Sequence, residues 1–575
     1  MMIHSRNDRR PPSGPKRRRT PVGSALAALA VLVATGCTSG APALAPGTNS
    51  IRDVPVKQGG SLVIGAEQEP DCADWISTCA GSIWGTYLMQ AQTIPQVFKV
   101  VQQGNTWVPV ASDLMAATPT TSVADGRQTI TYTLNPAAVW SDGQPITSAD
   151  LKYTALQIRD GKDVFTQTGY DLIDSVATPD PRTAVVTLKS PYANWRQLFG
   201  ADYGVLPAHL LDGKDRNALM KNGYTFSGGP WKIASWVRGT SVTLVPNERY
   251  WGPKPHLDKV TFQFTTDTAA EFQAFASGQL DALYPTPQLD VLSQINSLGG
   301  SANMQVETRT GNLQALWMNN STFPFDSPAV RQALAYSIDR GAIVHKLFGS
   351  LGVAAPAQSF LSPLVSAFAS EDFAGYRRDP AKVQQIMTAA GWAKNGDGIW
   401  AKDGRAAQFT IVSLAGNQSR ELTEQILQSQ LRQAGFKMTI KNTSAANLFG
   451  KVAPAGDFQL GLWTLTDTFP EPTLDATLAS TSIPGAVEGS SGINFIRAKI
   501  PGLDELLRRV RTEVDETARI QASRQAEKLI AESVPSLPLG AVPNILLTGK
   551  GVGGPISINP VQGPFWNLAE WGLAK

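Results

Sequence analysis

Residues 227–264 constrain the fold more than any other stretch, because turn signals there separate three segments with strand character. A Gly-Gly-Pro run and an Arg-Gly pair are chain-turning signals. Segments 231–237 and 241–245 are rich in β-branched and aromatic residues, which favour strands. From 260 to 264 apolar residues alternate with polar ones, so one face of that segment is buried. The stretch therefore predicts a β-hairpin followed by a third, returning strand.

Other patterns add helices to these strands. Residues 408–414 and 437–441 have strand character, and 421–434 between them has the pattern of an amphipathic helix. Such a βαβ unit makes a parallel pair of strands with a right-handed crossover. Two more helices are predicted towards the C-terminus, with Asp515 as the cap between them. Because 575 residues are too many for one hydrophobic core, the sequence predicts an α/β protein with several lobes.

The first 36 residues have the pattern of an export signal. A segment rich in arginine and lysine precedes the apolar segment 22–35, which has roughly the length of a signal-peptide core. The run Ala34-Thr35-Gly36-Cys37 resembles a lipobox, where bacterial lipoproteins are cleaved and the new N-terminal cysteine is acylated. We therefore expect loss of residues 1–36, a lipid on Cys37, and a tether over residues 37–59. The alternative is an uncleaved membrane anchor.

Removal of that segment changes the net charge. The whole chain has 50 basic and 47 acidic side chains, and seven basic and one acidic lie in residues 1–36. The rest has 43 basic and 46 acidic side chains, a net charge near −3. No basic patch remains, so nucleic acid is not an expected partner.

The other two cysteines are predicted to form a disulfide. With Cys37 assigned to lipid, Cys72 and Cys79 are an even pair in an oxidising compartment. The alternative is a metal-binding pair, but six residues separate the two cysteines and no histidine lies near them. We therefore expect no metal site.

The sequence contains none of the common catalytic motifs. Beyond residue 37 the histidines are His209, His256 and His345, each isolated in sequence. There is no H-E-x-x-H, no G-x-S-x-G, no P-loop and no G-x-G-x-x-G. An enzyme is therefore not predicted, and no cofactor is expected.

Several motifs resemble one protein family. Within 227–264 the order Gly-Pro-aromatic, Trp, Gly, Thr-Leu, Asn, Tyr-Trp-Gly, Pro and Leu-Asp is similar to a signature of bacterial extracellular solute-binding proteins of family 5. The runs at 140–147 (WSDGQPIT) and 330–340 continue the resemblance in the family's order. It extends over most of the chain beyond Gly60. The family includes the oligopeptide- and dipeptide-binding proteins that serve ABC importers.

The resemblance implies an α/β fold of the periplasmic-binding-protein type (type II, cluster C). Two hinged lobes would close on the ligand, an extra third lobe would lie at the side, and the protein would be a monomer. The implied division is lobe I from 60–88, 198–270 and 535–575, lobe II from 89–197, and lobe III from 271–534.

The resemblance also implies a ligand site in residues 462–475 (LWTLTDTFPEPTLD). In peptide-binding members a Trp at a strand end precedes an Asp, which receives the α-ammonium of the peptide, and then an acidic-Pro pair. The match gives the apolar wall to Trp463 and the counter-ion to Asp467. A peptide ammonium that loses water needs such a carboxylate, because an unpaired buried charge is costly. The alternatives are that Glu471 or Asp475 takes the role, or that Asp467 only caps a turn.

Three other groups of residues are candidates for lining the same cleft. They follow the cysteine pair, the strand 313–318 and the first strand of the βαβ unit, and ligands tend to bind at the ends of parallel strands. The candidates are Ser82, Trp84 and Gly85 in the first group, Asn319 and Asn320 in the second, and Asn417 and Gln418 in the third. The alternative for Trp84 is ordinary core packing.

The predicted function is capture of short peptides by a lipid-anchored protein on the outer face of the cytoplasmic membrane. The protein would deliver them to the permease subunits of an ABC importer. Side-chain selectivity would be weak, because peptide binders bond mainly to the backbone and the termini. Two alternatives remain open: the same fold could bind an oligosaccharide, an opine or a metal chelate, or it could act as a sensor or regulator.

Overall fold

The computed structural model describes residues 52–575 except 78, 81, 105, 165, 201–202, 299, 445–446, 468, 473 and 486–491. The predicted signal peptide 1–36, the lipid-bearing Cys37 and most of the predicted tether 37–59 lie outside these residues. Among the residues described, no helix is long and apolar enough to cross a membrane.

The strands are short and spread over the whole of the described chain. In chain order they are β1 (Arg52–Val54), β2 (Ser61–Ala66), β3 (Phe98–Gln103), β4 (Thr106–Ala111), β5 (Thr120–Ala124), β6 (Arg127–Thr133), β7 (Ile173–Asp180), β8 (Thr183–Leu188), β9 (Trp231–Val237), β10 (Ser241–Pro246), β11 (Lys259–Phe264), β12 (Ala282–Leu283), β13 (Ala302–Glu307), β14 (Asn312–Met318), β15 (Ala393–Lys394), β16 (Trp400–Lys402), β17 (Arg405–Ala406), β18 (Gln408–Val412), β19 (Lys437–Ile440), β20 (Leu460–Thr466), β21 (Ser536–Ala541), β22 (Asn544–Gly549), β23 (Val552–Ile556) and β24 (Gly572–Leu573).

The longer helices lie mainly in the second half of the chain. They are α1 (Ser148–Asp160), α2 (Thr268–Ala276), α3 (Leu289–Ser297), α4 (Pro328–Ser337), α5 (Arg340–Phe348), α6 (Pro380–Ala389), α7 (Gln418–Ala434), α8 (Leu503–Thr512) and α9 (Glu516–Ser533). Shorter helical segments include Ile83–Gly85, Thr86–Gln90, Ala91–Thr93, Ala208–Leu211, Arg216–Met220, Leu448–Val452 and Leu474–Leu478.

Aspartate and asparagine residues begin several of these helices. Each side chain accepts a backbone N–H of the first turn, which has no partner inside the helix. The residues are Asp267 before α2, Asp339 before α5, Asp379 before α6, Asn417 before α7 and Asp515 before α9. The predicted cap at Asp515 is therefore confirmed.

The larger sheet has seven strands in the order β13-β22-β12-β2-β11-β10-β9. Strand β2 pairs in parallel with β11 and β12, and the other neighbours are antiparallel. The predicted hairpin is formed by β9 and β10, and β11 returns between β10 and β2. Val260 and Phe262 are fully buried, as the alternation of apolar and polar residues predicted.

The second sheet has five strands in the order β19-β18-β20-β14-β21. Strands β18 and β19 are parallel and joined by α7, which confirms the predicted βαβ unit. Strand β20 is parallel to β18 and antiparallel to β14. Strands β18 and β20 therefore end at the edge where β14 begins, and we call this edge, marked by Asn312 and Thr466, the hinge edge.

The chain crosses between the two sheets at 308–311, before β14, and at 542–543, after β21. This division differs from the predicted lobe III (271–534). Strands β12 and β13 belong to the seven-stranded sheet, and β21 belongs to the five-stranded sheet. The difference arises because strand pairing is non-local: residues 271–307 return to the first sheet before the chain crosses.

A side region within the predicted lobe II consists of the hairpin β3–β4, the four-stranded sheet β5-β6-β8-β7 and α1. Its core is continuous with that of the seven-stranded sheet, because Ile130 and Val186 belong to the same buried cluster as Leu62 and Phe262. The five-stranded sheet belongs to a second large cluster, which also contains Leu283, Val306 and Leu547 of the seven-stranded sheet. We call the side region together with the seven-stranded sheet the first body, and the five-stranded sheet with its helices the second body.

The predicted disulfide between Cys72 and Cys79 is present, with 5.8 Å between the two Cα atoms. The loop that it closes is held to the first body by a buried ion pair. Arg216 Nε donates to both carboxylate oxygens of Asp74 at 2.9 Å, and Asp74 is fully buried. The cysteine pair is thus structural.

Candidate ligand-binding site

The two chain crossings lie side by side at the hinge edge. The Thr310 hydroxyl donates to the carbonyl oxygen of Val542 at 2.7 Å, and the Val542 N–H donates to the carbonyl oxygen of Asn312 at 2.9 Å. Two short, adjacent connections between packed bodies are where hinge rotation is absorbed. The geometry therefore permits the two bodies to close on each other about this edge.

Asp467 lies at this edge, directly after β20. Its backbone N–H donates to the carbonyl oxygen of Gly311, in the first crossing, at 2.9 Å. A Cβ atom added to Gly311 would lie 2.9 Å from the carbonyl oxygen of Asp467, so this close approach requires glycine. The β20 strand and the first crossing together fix the position of the Asp467 side chain.

The Asp467 carboxylate is buried without a compensating positive charge. The residue is 4% exposed, and its Oδ2 accepts one hydrogen bond from the Ser362 N–H at 2.6 Å. Burial raises the pKa of the Asp467 carboxyl to about 6, against the opposing effect of the Ser362 N–H hydrogen bond, and the nearby Glu527 raises it further. No lysine, arginine or histidine in the described chain forms an ion pair with it. Such a carboxylate can accept a cationic group.

The two alternative carboxylates, Glu471 and Asp475, each lie near an arginine, unlike Asp467. Glu471 forms a buried ion pair with Arg519, whose Nη2 lies 2.8 Å from its Oε1. Asp475 Oδ2 lies 4.0 Å from Arg511 Nη1. Both charges have a partner within the chain, so neither needs a ligand for compensation.

The first body faces the segment that follows the aspartate. Phe469 lines a narrow pocket together with Phe98, Arg196 and Gln562, and Gln197 Nε2 donates to the Phe469 carbonyl oxygen at 3.2 Å. We call the space between the Phe469 segment and these residues the cleft. It is bounded by both bodies, so its width depends on how far they close.

An apolar cluster spans this cleft. Phe469 packs with Val100 and Trp107 of the first body, and Leu364 and Val561 lie against them. All three core members are at most 9% exposed. The two bodies are therefore in direct apolar contact beside the buried carboxylate.

Trp463 is packed inside the second body. It is 6% exposed and stacks on Trp317 with 5.5 Å between ring centroids and an interplanar angle of 8°. Phe458 and Phe449 meet its ring edge-on. A role for Trp463 as a cleft wall stays a prediction, because its neighbours here are aromatic rings of the second body: Trp317 and Phe458 are buried, and Phe449 is 40% exposed.

Trp84 lies in an aromatic cluster of the first body. Its ring centroid is 6.1 Å from that of Tyr284 and 6.4 Å from that of Phe565, and it is 6% exposed. Gly85 lies against Trp75, and a Cβ there would come 2.6 Å from that ring. These positions are those of packing residues.

Ser82 precedes that aromatic segment. Its hydroxyl is buried and has no hydrogen-bond partner among the described residues. The predicted contacts of Ser82, Trp84 and Gly85 with a ligand remain predictions.

Asn417 and Gln418 lie at the hinge edge, as Asp467 does. The Asn417 side chain accepts the Arg420 N–H at 3.0 Å and so begins α7. The Gln418 N–H donates to Gln288 Oε1 at 3.1 Å, which joins α7 to the first body. The structure thus brings Asn417 and Gln418 to the side of the sheet where the cleft lies. Asn417 caps α7 there, and Gln418 bonds to Gln288.

Asn319 and Asn320 lie at the opposite end of β14 from the hinge edge. Asn320 Nδ2 donates to the carbonyl oxygens of Met318 and Pro535, and Asn319 Nδ2 donates to that of Phe458 at 3.0 Å. The structure does not bring these asparagines together with Asp467. Because β14 runs antiparallel to β20, the end of one strand lies beside the start of the other.

Sequence reasoning missed Arg420 at the hinge edge. Its Nη2 donates to Thr464 Oγ1 at 3.1 Å, its Nη1 is buried with no hydrogen-bond partner among the described residues, and burial lowers its pKa to about 10. It lies in the first turn of α7, three residues after the Asn417 cap. A residue in the first turn of the predicted helix lies near the end of the preceding strand, and this is how the sequence could have indicated Arg420. The cleft residues at 98, 196 and 562 carry no comparable local signal.

Comparison with known proteins identifies the family. The model of the bacterial extracellular solute-binding proteins, family 5 Middle, matches residues 112–483, which is more than half of the chain. The chain belongs to this family. The match includes strands of both sheets, the first crossing and Asp467.

Individual members agree with this assignment. The oligopeptide-binding protein OppA of Mycobacterium tuberculosis is 27% identical over 466 residues, which cover 79% of this chain and 75% of OppA. The oligopeptide-binding protein AppA of Bacillus subtilis, solved with a nonapeptide, superimposes with a TM-score of 0.74 at 22% identity over 91% of this chain and all of AppA. A periplasmic EDTA-binding protein, EppA, superimposes with a TM-score of 0.79 at 21% identity over 92% of this chain and 99% of EppA. At these identities the two structures show the fold alone.

Membership establishes the class of function. This family 5 protein is an extracellular solute-binding protein and not an enzyme, which confirms the α/β binding-protein fold and the binding role predicted from the sequence. It works outside the cytoplasm, where a disulfide is stable.

Proposed function

We propose that this family 5 protein captures short peptides in the cleft and delivers them to the permease of an ABC importer. The observation that carries the proposal is the Asp467 carboxylate, which is buried at the hinge edge without a positive partner among the described residues. The α-ammonium of a peptide would supply the missing charge. Leaving such a carboxylate buried and unpaired costs free energy, so closure is more favourable with the ligand than without it.

The position of Asp467 supports coupling of ligand binding to closure. Its backbone N–H donates a hydrogen bond to Gly311 in the first crossing, while Phe469, two residues later, packs against the first body. An ammonium held by Asp467 therefore binds at the place where the two bodies rotate. A peptide backbone that continues from this point would be enclosed as the cleft narrows.

The test is native mass spectrometry of the full-length protein as purified, followed by denaturation and sequencing of what is released. We expect short peptides to co-purify with the wild type and with Asp457→Ala, which changes an exposed aspartate before β20, and to be lost from Asp467→Ala. A ligand-free mass, with no thermal shift from a mixed peptide digest, would contradict peptide capture. It would favour an oligosaccharide, an opine, a metal chelate or a sensing role.

We further propose that the protein is a monomer anchored by lipid on Cys37 at the outer face of the cytoplasmic membrane. The lipobox-like run before Cys37 and the basic segment before it support the anchor. Metabolic labelling with a radioactive fatty acid should label the wild type in the membrane fraction. Cys37→Ala should remain unlabelled, and equal labelling of both would refute the anchor.

A further inference from the structure

A second pocket lies between the two bodies, beside the cleft. On one side it is lined by Tyr192 and Asn194 of the side region, and on the other by residues of α8 and α9, including Leu507 and Ser523. The walls touch directly, because the Ala193 N–H donates to the Arg511 carbonyl oxygen at 2.9 Å. We call it the side pocket. It is complete only while the two bodies are closed.

The side pocket contains polar groups without partners. Asn194 is 5% exposed, and neither its side-chain oxygen nor its side-chain nitrogen has a hydrogen-bond partner in the described chain. On the facing helix, Ser523 is 1% exposed and its hydroxyl is also without a partner. Buried polar groups are nearly always hydrogen-bonded, so two such side chains on opposite walls indicate an occupant.

The charged groups of the side pocket are already paired. Glu471 is bonded to Arg519, and Asp475 lies 4.0 Å from Arg511. The open hydrogen-bonding capacity is therefore uncharged: one amide oxygen, one amide NH₂ and one hydroxyl. Leu507 and Val510 supply apolar surface around it. The matching occupant is neutral, offers a donor and an acceptor together, and has an apolar body.

One residue of an extended peptide is neutral and offers a donor and an acceptor together, and its side chain can supply the apolar body. In an extended chain the N–H and C=O of the same residue point to the same side, as they do when two strands exchange a pair of hydrogen bonds. The side-chain amide of Asn194 can accept from that N–H and donate to that C=O. Phe469 and Pro470 line the cleft, and the next two residues, Glu471 and Pro472, line the side pocket, so a peptide running along them would pass from one space to the other.

We propose that the side pocket is a subsite for one residue of a longer peptide, whose backbone N–H and C=O bond to Asn194. The proposal rests on the peptide capture proposed above. Binding there would add to affinity only for peptides long enough to reach it, and it would stabilise closure because the occupant contacts both bodies.

The test is a titration of full-length protein, freed of co-purified ligand, with alanine peptides of three, five and seven residues. The variants are Asn194→Leu, which removes both polar atoms at similar volume, and Ser523→Ala. Asn222→Leu is the matched control, because it makes the same substitution at an exposed asparagine that lines neither the side pocket nor the cleft. Unfolding in urea checks the fold of each variant.

We expect Asn194→Leu to bind the heptapeptide about tenfold more weakly and the tripeptide equally well, because the peptide N–H and C=O that reach the pocket would lose their partners; tenfold corresponds to about 1.4 kcal/mol. Ser523→Ala should show a smaller loss of affinity, and Asn222→Leu none. The unfolding midpoint of Asn194→Leu should be unchanged or higher, because an unpartnered amide is removed.

Two results would overturn the subsite while leaving peptide capture intact. One is unchanged affinity at every length, which would mean that only water fills the pocket. The other is an equal loss at every length, which would mean that Asn194 acts on closure alone. A wild type that binds none of the peptides would refute peptide capture and the subsite together.

Discussion

Replacing Asp467 by asparagine should raise stability and abolish tight peptide binding at the same time. Asparagine keeps an oxygen that can accept the Ser362 N–H and removes the charge. The carboxyl pKa is about 6 in the folded protein, against 3.8 as its ordinary value. At about 1.4 kcal/mol per pKa unit, burial of the ionised form costs about 3 kcal/mol at neutral pH.

The sign of the pH dependence follows from the raised pKa of Asp467. Between about pH 4 and pH 6 the folded protein holds a proton that the unfolded chain has lost, so the stability of the wild type falls as the pH rises through this window. Above pH 6 the cost is constant. The difference in free energy of unfolding between Asp467→Asn and the wild type should therefore be largest above pH 6, at about 1–3 kcal/mol, and should shrink towards pH 4.

Peptide affinity should change in the opposite direction. Removing one partner of a buried ion pair costs about 3–5 kcal/mol, so Asp467→Asn should bind a pentapeptide at least about a hundredfold more weakly at pH 7.5. Affinity of the wild type should fall as the pH drops below 6, because the carboxyl becomes protonated, and affinity of the variant should not. Isothermal titration at pH 5 and pH 7.5, with urea denaturation of the ligand-free proteins, measures both quantities.

The pair of measurements discriminates between the two roles of Asp467. If the side chain only caps a turn, Asp467→Asn should leave peptide affinity unchanged and should not gain stability. Equal affinities of variant and wild type at pH 7.5 would therefore refute the reasoning. Lower stability of the variant at that pH would refute the assignment of an uncompensated charge.

Two further predictions concern residues that the structure places in packing roles. Trp463→Ala should lower the free energy of unfolding by about 3–5 kcal/mol in urea denaturation, because it removes the ring that stacks on Trp317; a fall in peptide affinity without loss of stability would instead make it a cleft wall. Joint replacement of Cys72 and Cys79 by serine should lower the free energy of unfolding by about 2–3 kcal/mol, from the chain entropy of a short loop, and leave peptide affinity unchanged. Equal unfolding midpoints of the wild type with and without reductant would contradict a stabilising role of the disulfide.

Local elements could be predicted from the sequence, because the signals that define them are local. The hairpin β9–β10 follows from two turn signals and flanking β-branched residues, and the βαβ unit around α7 follows from a change of periodicity. The Asp515 cap needs only its own side chain and the next turn. Each of these depends on neighbours within a few residues.

The division of the chain between the two bodies could not be predicted in the same way. Strand β13 pairs with β22, whose residues lie more than two hundred positions later, and β14 pairs with β21. Residues 302–307 and 312–318 both form strands on either side of the crossing at 308–311, and a strand's local pattern does not say which sheet it joins. The cleft has the same difficulty, because Phe98, Phe469 and Gln562 come from three distant segments.

Charge pairing, more than residue type, separates the proposed ligand-binding carboxylate from its neighbours. Asp467, Glu471 and Asp475 lie within nine positions, and sequence alone offers all three as partners for a peptide ammonium. Among the described residues, an arginine lies within 4.0 Å of each of the last two carboxylates, and none forms an ion pair with the first. An ion pair inside the protein competes with a ligand for the same carboxylate, so only the carboxylate left without a partner gains fully from binding one. The free protein is less stable for it, and that cost is recovered when a cation arrives and the bodies close.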